Sequence, residues 1–160
     1  MKETPTVVSA AQMPSKQAVT QKMADFEEEL AKVPGARFGD DVAPLRHLFG
    51  DGLYCREITM PAGMLLTSKI HKTTHPYFVM TGDVSVLTDE GPIRIKAPYF
   101  GITQAGTKRV LYVHEETIWI TVHATKETDL EKIEEQVIAK DYKGLMEHII
   151  KGTIPCLGAQ

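Results

Sequence analysis

Sulfur is scarce in this 160-residue chain, which carries only two cysteines, Cys55 and Cys156. They lie far apart and without any CxxC-type spacing, so a disulfide framework and a thiolate zinc site are both excluded by pattern, and a reducing cytosol fits them. Long hydrophobic runs are missing too. No stretch approaches the roughly 18 apolar residues of a membrane-spanning helix, and the opening MKETPTVVSAAQMPSKQ has no apolar segment of secretory length. The expectation is therefore a protein of the cytoplasm with no membrane partner. Charge of one sign is also lacking: 18 Lys and Arg stand against 21 Asp and Glu, a net charge of −3. Such a balance provides no global field for a nucleic-acid polymer, so any recognition by charge has to be local. Neither internal repeats nor low-complexity tracts occur, which argues against a solenoid.

What is present is the composition of an ordinary soluble domain, 42% hydrophobic and 24% charged, in a length that supports one core. Residues 1–16 are polar and proline-punctuated and read as a flexible N-terminal arm. Residues 17–44 read as an N-terminal helix and linker. Val19, Met23, Phe26 and Leu30 recur at helical spacing before the stop at Pro34 and Gly35, giving a face suited to packing on the core or on a neighbouring subunit. From 45 to 125 the pattern changes to short strands separated by turn residues: LYCREITM, MLLTSKIH, PYFVMTG, DVSVLT, IRIKA, YFGIT, RVLYV and TIWITVHA, with a charged turn expected at His114-Glu115-Glu116. That is the signature of an antiparallel sandwich or barrel. Residues 126–160 read as a C-terminal helical extension and tail. Thr128 and Glu131 stand in capping-box register before a helix of about three turns, and YKGLMEHII forms a second short helical piece.

The segment Gly63–Gly82, GMLLTSKIHKTTHPYFVMTG, holds the candidate chemistry. A helical metal motif is unsuited to it, because Lys72 follows the first histidine and Pro76 the second. On a strand, Lys69, His71 and His75 share one face if the register survives the Lys72-Thr73-Thr74 bend. In its spacing the segment resembles the first motif of the cupin superfamily, G-x5-H-x-H-x3-E-x6-G. Gly63, His71 and Gly82 match, Lys69 replaces the first histidine, and His75 replaces the glutamate. The second motif is weaker: Gly106 takes its inner glycine, while Gln104, Arg109 and Val113 stand at the proline, fourth-ligand and asparagine places. This resemblance, over roughly residues 45–123, implies a mainly β, antiparallel cupin-like jelly-roll barrel with helical extensions at both ends. The core is also similar to small cupin-like proteins of tailed bacteriophages, which would put it in the host cytoplasm.

Three readings of the site follow. In the first, Lys69, His71, His75, Tyr77 and Arg109 form a cup for a small anionic ligand, a carboxylate or phosphate, in sensing or sequestering a metabolite or nucleotide. In the second, His71 and His75, with an outlying His114 or His123, hold a divalent metal, Zn or Ni, in a cupin enzyme with an altered ligand set. Strand parity from Arg109 turns His114 away from the interior. In the third, the barrel is a scaffold and its helices drive assembly into a homodimer or higher homo-oligomer. Trp119 reads as core, His123 and His148 as element ends without chemistry, and EKIEEQ as a solvated helix face.

Overall fold

The computed structural model describes residues 16–36 and 42–145. Helix α1 (Lys16–Ala31) precedes β1 (Leu45–Gly50), β2 (Leu53–Met60), β3 (Leu65–Thr67), β4 (Ile70–His71), β5 (His75–Thr88), β6 (Gly91–Lys96), β7 (Tyr99–Thr103) and β8 (Val110–Ala124), followed by α2 (Leu130–Val137) and β9 (Ile138–Ala139). The main sheet runs β1-β2-β8-β5-β6, with β3 also paired to β8 and β7 to β5, and every pairing is antiparallel. This is a mainly β, cupin-like jelly roll.

Two expected breaks are absent. PYFVMTG and DVSVLT form one strand, β5, and the charged stretch His114-Glu115-Glu116 lies inside β8 instead of making a turn. The reason is at Gly82. Its φ of 91° belongs to the left-handed region, and a Cβ there would overlap Thr117 Oγ1 and the Glu116 carbonyl and stand 2.7 Å from Thr117 Cα. The backbones of β5 and β8 can therefore press together and bend without separating, and the register shifts between Val79 and Val84 mark the corner. Asp83 stabilises the same corner, accepting from Arg94 Nε at 2.8 Å and Nη2 at 2.9 Å. MLLTSKIH, by contrast, splits into β3 and β4.

Alternation along the strands places Met60, Tyr77, Val79, Val84, Val86, Ile95, Leu111, Val113 and Trp119 in one core. Trp119 is thus a core side chain, although one edge of it also faces a cavity. On α1 only Met23 of the apolar series is buried, and Phe26 is exposed. Glu27 anchors the helix, accepting from Thr67 Oγ1 at 2.6 Å and from Lys108 Nζ at 2.7 Å. Lys108 is accordingly buried.

Helix α2 has two turns where about three were expected, and its cap is Asp129 instead of Thr128. The Asp129 carboxylate accepts from the backbone of Glu131 and Lys132, while Glu127 accepts from Thr128 N and Asp129 N. Ile133 and Val137 pack on Tyr54, so α2 lies against the barrel mouth. Residues 142–145 are helical. The N-terminal arm through residue 15, the remainder of YKGLMEHII with His148, and Cys156 lie outside the described residues.

Candidate functional site

Four segments meet at the mouth. β4 is a two-residue strand whose backbone is held from both sides: His71 pairs with Ile138 of β9, Gly106 N donates to the His71 carbonyl at 2.8 Å, and Lys72 N donates to the Val137 carbonyl at 2.7 Å. His75 opens β5, and His123 lies near the end of β8 opposite Tyr54 of β2. The three imidazoles turn inward together. Ring centroids are 4.4 Å apart for His71 and His75, 4.3 Å for His75 and His123, and 5.4 Å for His71 and His123.

Each ring has one buried nitrogen with no hydrogen-bond partner: His71 Nδ1, His75 Nε2 and His123 Nδ1. A metal-ligating nitrogen from each of the three can be drawn within 4.8 Å of the others. For His75 the tautomer is set by its other nitrogen, since Nδ1 donates to the Thr73 carbonyl at 3.0 Å and leaves Nε2 as a bare lone pair. His123 Nε2 is 3.2 Å from Thr121 Oγ1. Burial holds all three imidazoles below their ordinary value. His71 is lowered further by His75, His123, Arg109 and Arg56; His75 by Arg109, against a raising bond to Thr73; and His123 reaches about 3 with help from His75 and Arg56. At neutral pH the rings are neutral and present lone pairs, as a metal requires. Three histidines therefore lie close enough together to bind a metal ion.

Below the triad lies a cavity of about 150 Å³, walled by Ile58, Met60, Leu66, Leu111 and Trp119 and lined also by Arg56, Arg109 and Thr121. Arg109 sits with its guanidinium carbon 5.2 Å from the Tyr77 ring centre and 5.9 Å from that of Trp119, and Nη2 donates to Thr103 Oγ1 at 3.0 Å. Burial lowers its pKa, partly offset by Tyr77 and Asp89.

The positions read from the sequence thus divide. His71, His75 and Arg109 come together. Lys69 lines the same cavity, with its ammonium donating to Glu134 Oε1 of α2 at 2.7 Å. The short β4 has its own partner, β9, and Ser68 is tied by bonds to Arg109 N. Tyr77 is buried flat on Trp119, with ring centroids 4.7 Å apart, and its hydroxyl lies by Gly101 and bonds Tyr99 instead of facing the cavity. His114 lies outside the triad and contacts Ser85 Oγ at 2.7 Å. Glu134 shows that the EKIEEQ face is not solely solvated.

His123 is the residue the motif comparison missed as a central member, since it falls after the second motif. Its signal was parity, because Trp119, Thr121 and His123 alternate onto one face of TIWITVHA. Arg56 and Tyr54, at the same alternation in β2, were likewise unremarked; Tyr54 backs His123 with centroids 6.1 Å apart and contacts His47 Nδ1 at 2.7 Å.

No family model and no curated protein sequence matches this chain. Among solved structures it is similar to KdgF from Halomonas sp., with 10% identity, a TM-score of 0.48, and coverage of 59% of this chain and 88% of that one. An RmlC-like cupin family protein from Methanocaldococcus jannaschii shares 12% identity at a TM-score of 0.42, over 56% of this chain and 87% of that one. A cupin-2 domain protein from Shewanella frigidimarina shares 11% identity at a TM-score of 0.43, over 62% and 91%. Among the described residues no helix is long and apolar enough to cross a membrane. By its own strand order, its two bent central strands and the spacing from Gly63 to Gly82, the chain has the cupin-like jelly-roll fold.

Proposed function

We propose that this protein is a metal-dependent, cupin-like small-molecule protein in which His71, His75 and His123 hold one divalent transition ion above an arginine-lined pocket. One observation carries the reading: three buried or half-buried imidazoles converge, each with a buried nitrogen that has no hydrogen-bond partner, and one ligating nitrogen from each lies within 4.8 Å of the others. A bare buried acceptor is costly unless something fills its lone pair, and three that converge call for a cation. Imidazole donors suit Zn or Ni. The bond from His75 Nδ1 to Thr73 orients that ring, and the contact of His123 with Thr121 does the same on the opposite side. When bound, the ion supplies a Lewis acid that polarises a ligand oxygen. Arg109, fixed against two aromatic rings, holds an anionic group, while Ile58, Leu111 and Trp119 exclude water from it.

The metal-free anion cup has less support. Its Lys69 is ion-paired, its Tyr77 hydroxyl is bonded elsewhere, and its histidines are held neutral. Metal analysis of the purified protein tests the reading. Near-stoichiometric Zn or Ni is expected, lost in His75→Ala; with the ion at a hundredfold excess over its Kd, the chelator-treated protein should gain about 2.7 kcal/mol of stability. No bound metal and no stabilisation by either ion would refute it.

A second reading, self-association, rests on the outer face of the sheet. Phe78 pairs with Phe100 and Pro76 with Ile102 across β5 and β7, and Phe78, Met80, Phe100 and Ile102 are exposed, Phe100 at 76%. These side chains form an apolar patch on the order of several hundred Å², a useful part of the roughly 800 Å² each partner of a standard interface buries. The occupant is a second copy of the chain. Sedimentation should show a dimer that Phe100→Asp converts to monomer; a wild-type monomer at high concentration removes this reading and leaves the metal site untouched.

A further inference from the structure

One wall of the cavity is a single short stretch of chain. Leu130, Ile133, Glu134 and Val137 of α2 and Ile138 of β9 line it, so residues 130–139 lie as a strap across the barrel mouth. What holds the strap is local and small. Ile133 and Val137 pack with Tyr54, and Ile70, Ala139 and Leu145 pack together, in two clusters separate from the barrel core. β9 pairs with β4 over two residues, Lys72 donates from N to the Val137 carbonyl at 2.7 Å and from Nζ to the Glu135 carbonyl at 2.6 Å, and Lys69 donates to Glu134. A helix of eight residues is too short to persist in water alone, so α2 keeps its form only while docked. Elements held by satellite clusters open as units, at less cost than the core.

The three imidazoles divide along the same line. His75 and His123 stand on β5 and β8, the two long strands that pair with each other in the main sheet. His71 stands on β4, whose strand partner is β9 in a separate two-stranded sheet, and its partner there is Ile138, the residue that directly follows α2. Gly106 N, donating to the His71 carbonyl at 2.8 Å, holds β4 from its other side. Two of the imidazoles thus belong to the frame of the barrel, and the third shares a ladder with the strap. An ion that takes all three has to fix β4 against β5 and β8, and β4 is the edge on which β9 docks.

Resting on the metal reading above, we propose that residues 130–139 are a strap switched by the ion: an ion on His71, His75 and His123 locks the strap over the mouth, and its loss lets the strap open onto the cavity. Ile133 and Val137 are positioning residues in this scheme. They act on the ion through β9 and β4 and contribute no ligand atom. The coupling is equal in both directions, so the factor by which the ion strengthens docking of the strap is the factor by which docking strengthens affinity for the ion.

The test uses the full chain, chelator-treated or loaded with Ni²⁺, and starts with amide hydrogen exchange. Nickel should slow exchange in residues 130–139 by about tenfold or more, whereas the amides of α1, anchored apart from the triad through Glu27 to Thr67 and Lys108, should change by less than about twofold. Calorimetric titration then compares variants. Ile133→Ala should weaken the Ni²⁺ Kd by about fivefold or more and Ile133→Val should restore most of it, while Met23→Ala, an equally buried truncation on α1, should leave it within about twofold. Circular dichroism checks the fold, and Val137→Ala gives the same readout if Ile133→Ala does not fold. Nickel binding that leaves exchange in the strap unchanged, or that Ile133→Ala and Met23→Ala shift alike, overturns the strap proposal alone. Failure of the wild type to bind nickel or zinc overturns the metal reading and this proposal with it.

Discussion

Replacing His123 by asparagine in the metal-free protein should remove about 2 kcal/mol of its acid sensitivity between pH 7 and pH 5. The folded imidazole is held at about 3, by burial first and then by His75 and Arg56, whereas an unfolded chain titrates near 6.5. The folded-state value is lowered, so the unfolded chain takes up a proton that the folded one does not. Stability from this group is therefore complete above about pH 6.5 and declines as the pH falls toward 3. At pH 5 the unfolded imidazole is almost fully protonated and the folded one is neutral. The deficit is roughly 1.5 pH units at about 1.36 kcal/mol each, or about 2 kcal/mol. Urea unfolding of chelator-treated wild type and His123→Asn at both pH values measures it, with the comparison made between slopes so that any constant loss from the substitution cancels. His71 and His75 act in the same direction and remain in the variant, so its acid sensitivity falls without vanishing. An identical loss of stability in both proteins, or an NMR titration of the His123 ring near 6.5, would show that the imidazole is not held neutral by its surroundings.

Gly82→Ala should destabilise by about 3 kcal/mol or more, because the added Cβ meets the Thr117 backbone at a positive φ, and thermal unfolding will show whether the corner tolerates it. Asp83 is held below the usual carboxylate range by its bonds to Arg94, so the stability it contributes is present above about pH 4 and lost as the pH falls further; Asp83→Asn should flatten the acid limb of a pH–Tm curve, and an unaltered limb would remove the corner ion pair from the account. Glu27→Ala strips the buried Lys108 ammonium of its carboxylate and should cost about 2 kcal/mol in urea titration, with Lys108→Met restoring much of it. Asp129→Ala removes the cap of α2 and should cost about 1 kcal/mol, read as faster amide exchange in the helix over the barrel mouth than in the core strands.

The turn chemistry and two-residue periodicity of the chain were enough to read an antiparallel barrel, because each short run buries alternate side chains and carries that pattern locally. LYCREITM and YFGIT coincide with β2 and β7. Where the pattern misled, a tertiary contact had changed the meaning of a local signal. Gly82 and the charged residues 114–116 look like chain reversals, yet they are the two halves of one bend shared by paired strands. Thr128 has the spacing of a cap, yet the neighbouring carboxylate of Asp129 reaches the same amides.

For the site, the resemblance in motif spacing singled out His71, His75 and Arg109 as candidates, by the ligand places it implies. A spacing can be read from a chain because it is a property of the chain. The company those residues keep is not. His123 joins them only because β8 pairs with both β2 and β5, carrying a residue far along the chain to the mouth of the barrel. Lys69 lines their cavity paired with Glu134 because α2 folds back over the mouth, and the Tyr77 ring lies against the Arg109 guanidinium. Which nitrogens are left bare depends on burial and on partners such as the Thr73 carbonyl. Desolvation and hydrogen-bond satisfaction arise only when separate segments are brought together, so the sequence by itself determined the frame and two of its histidines, and the tertiary structure decided what surrounds them.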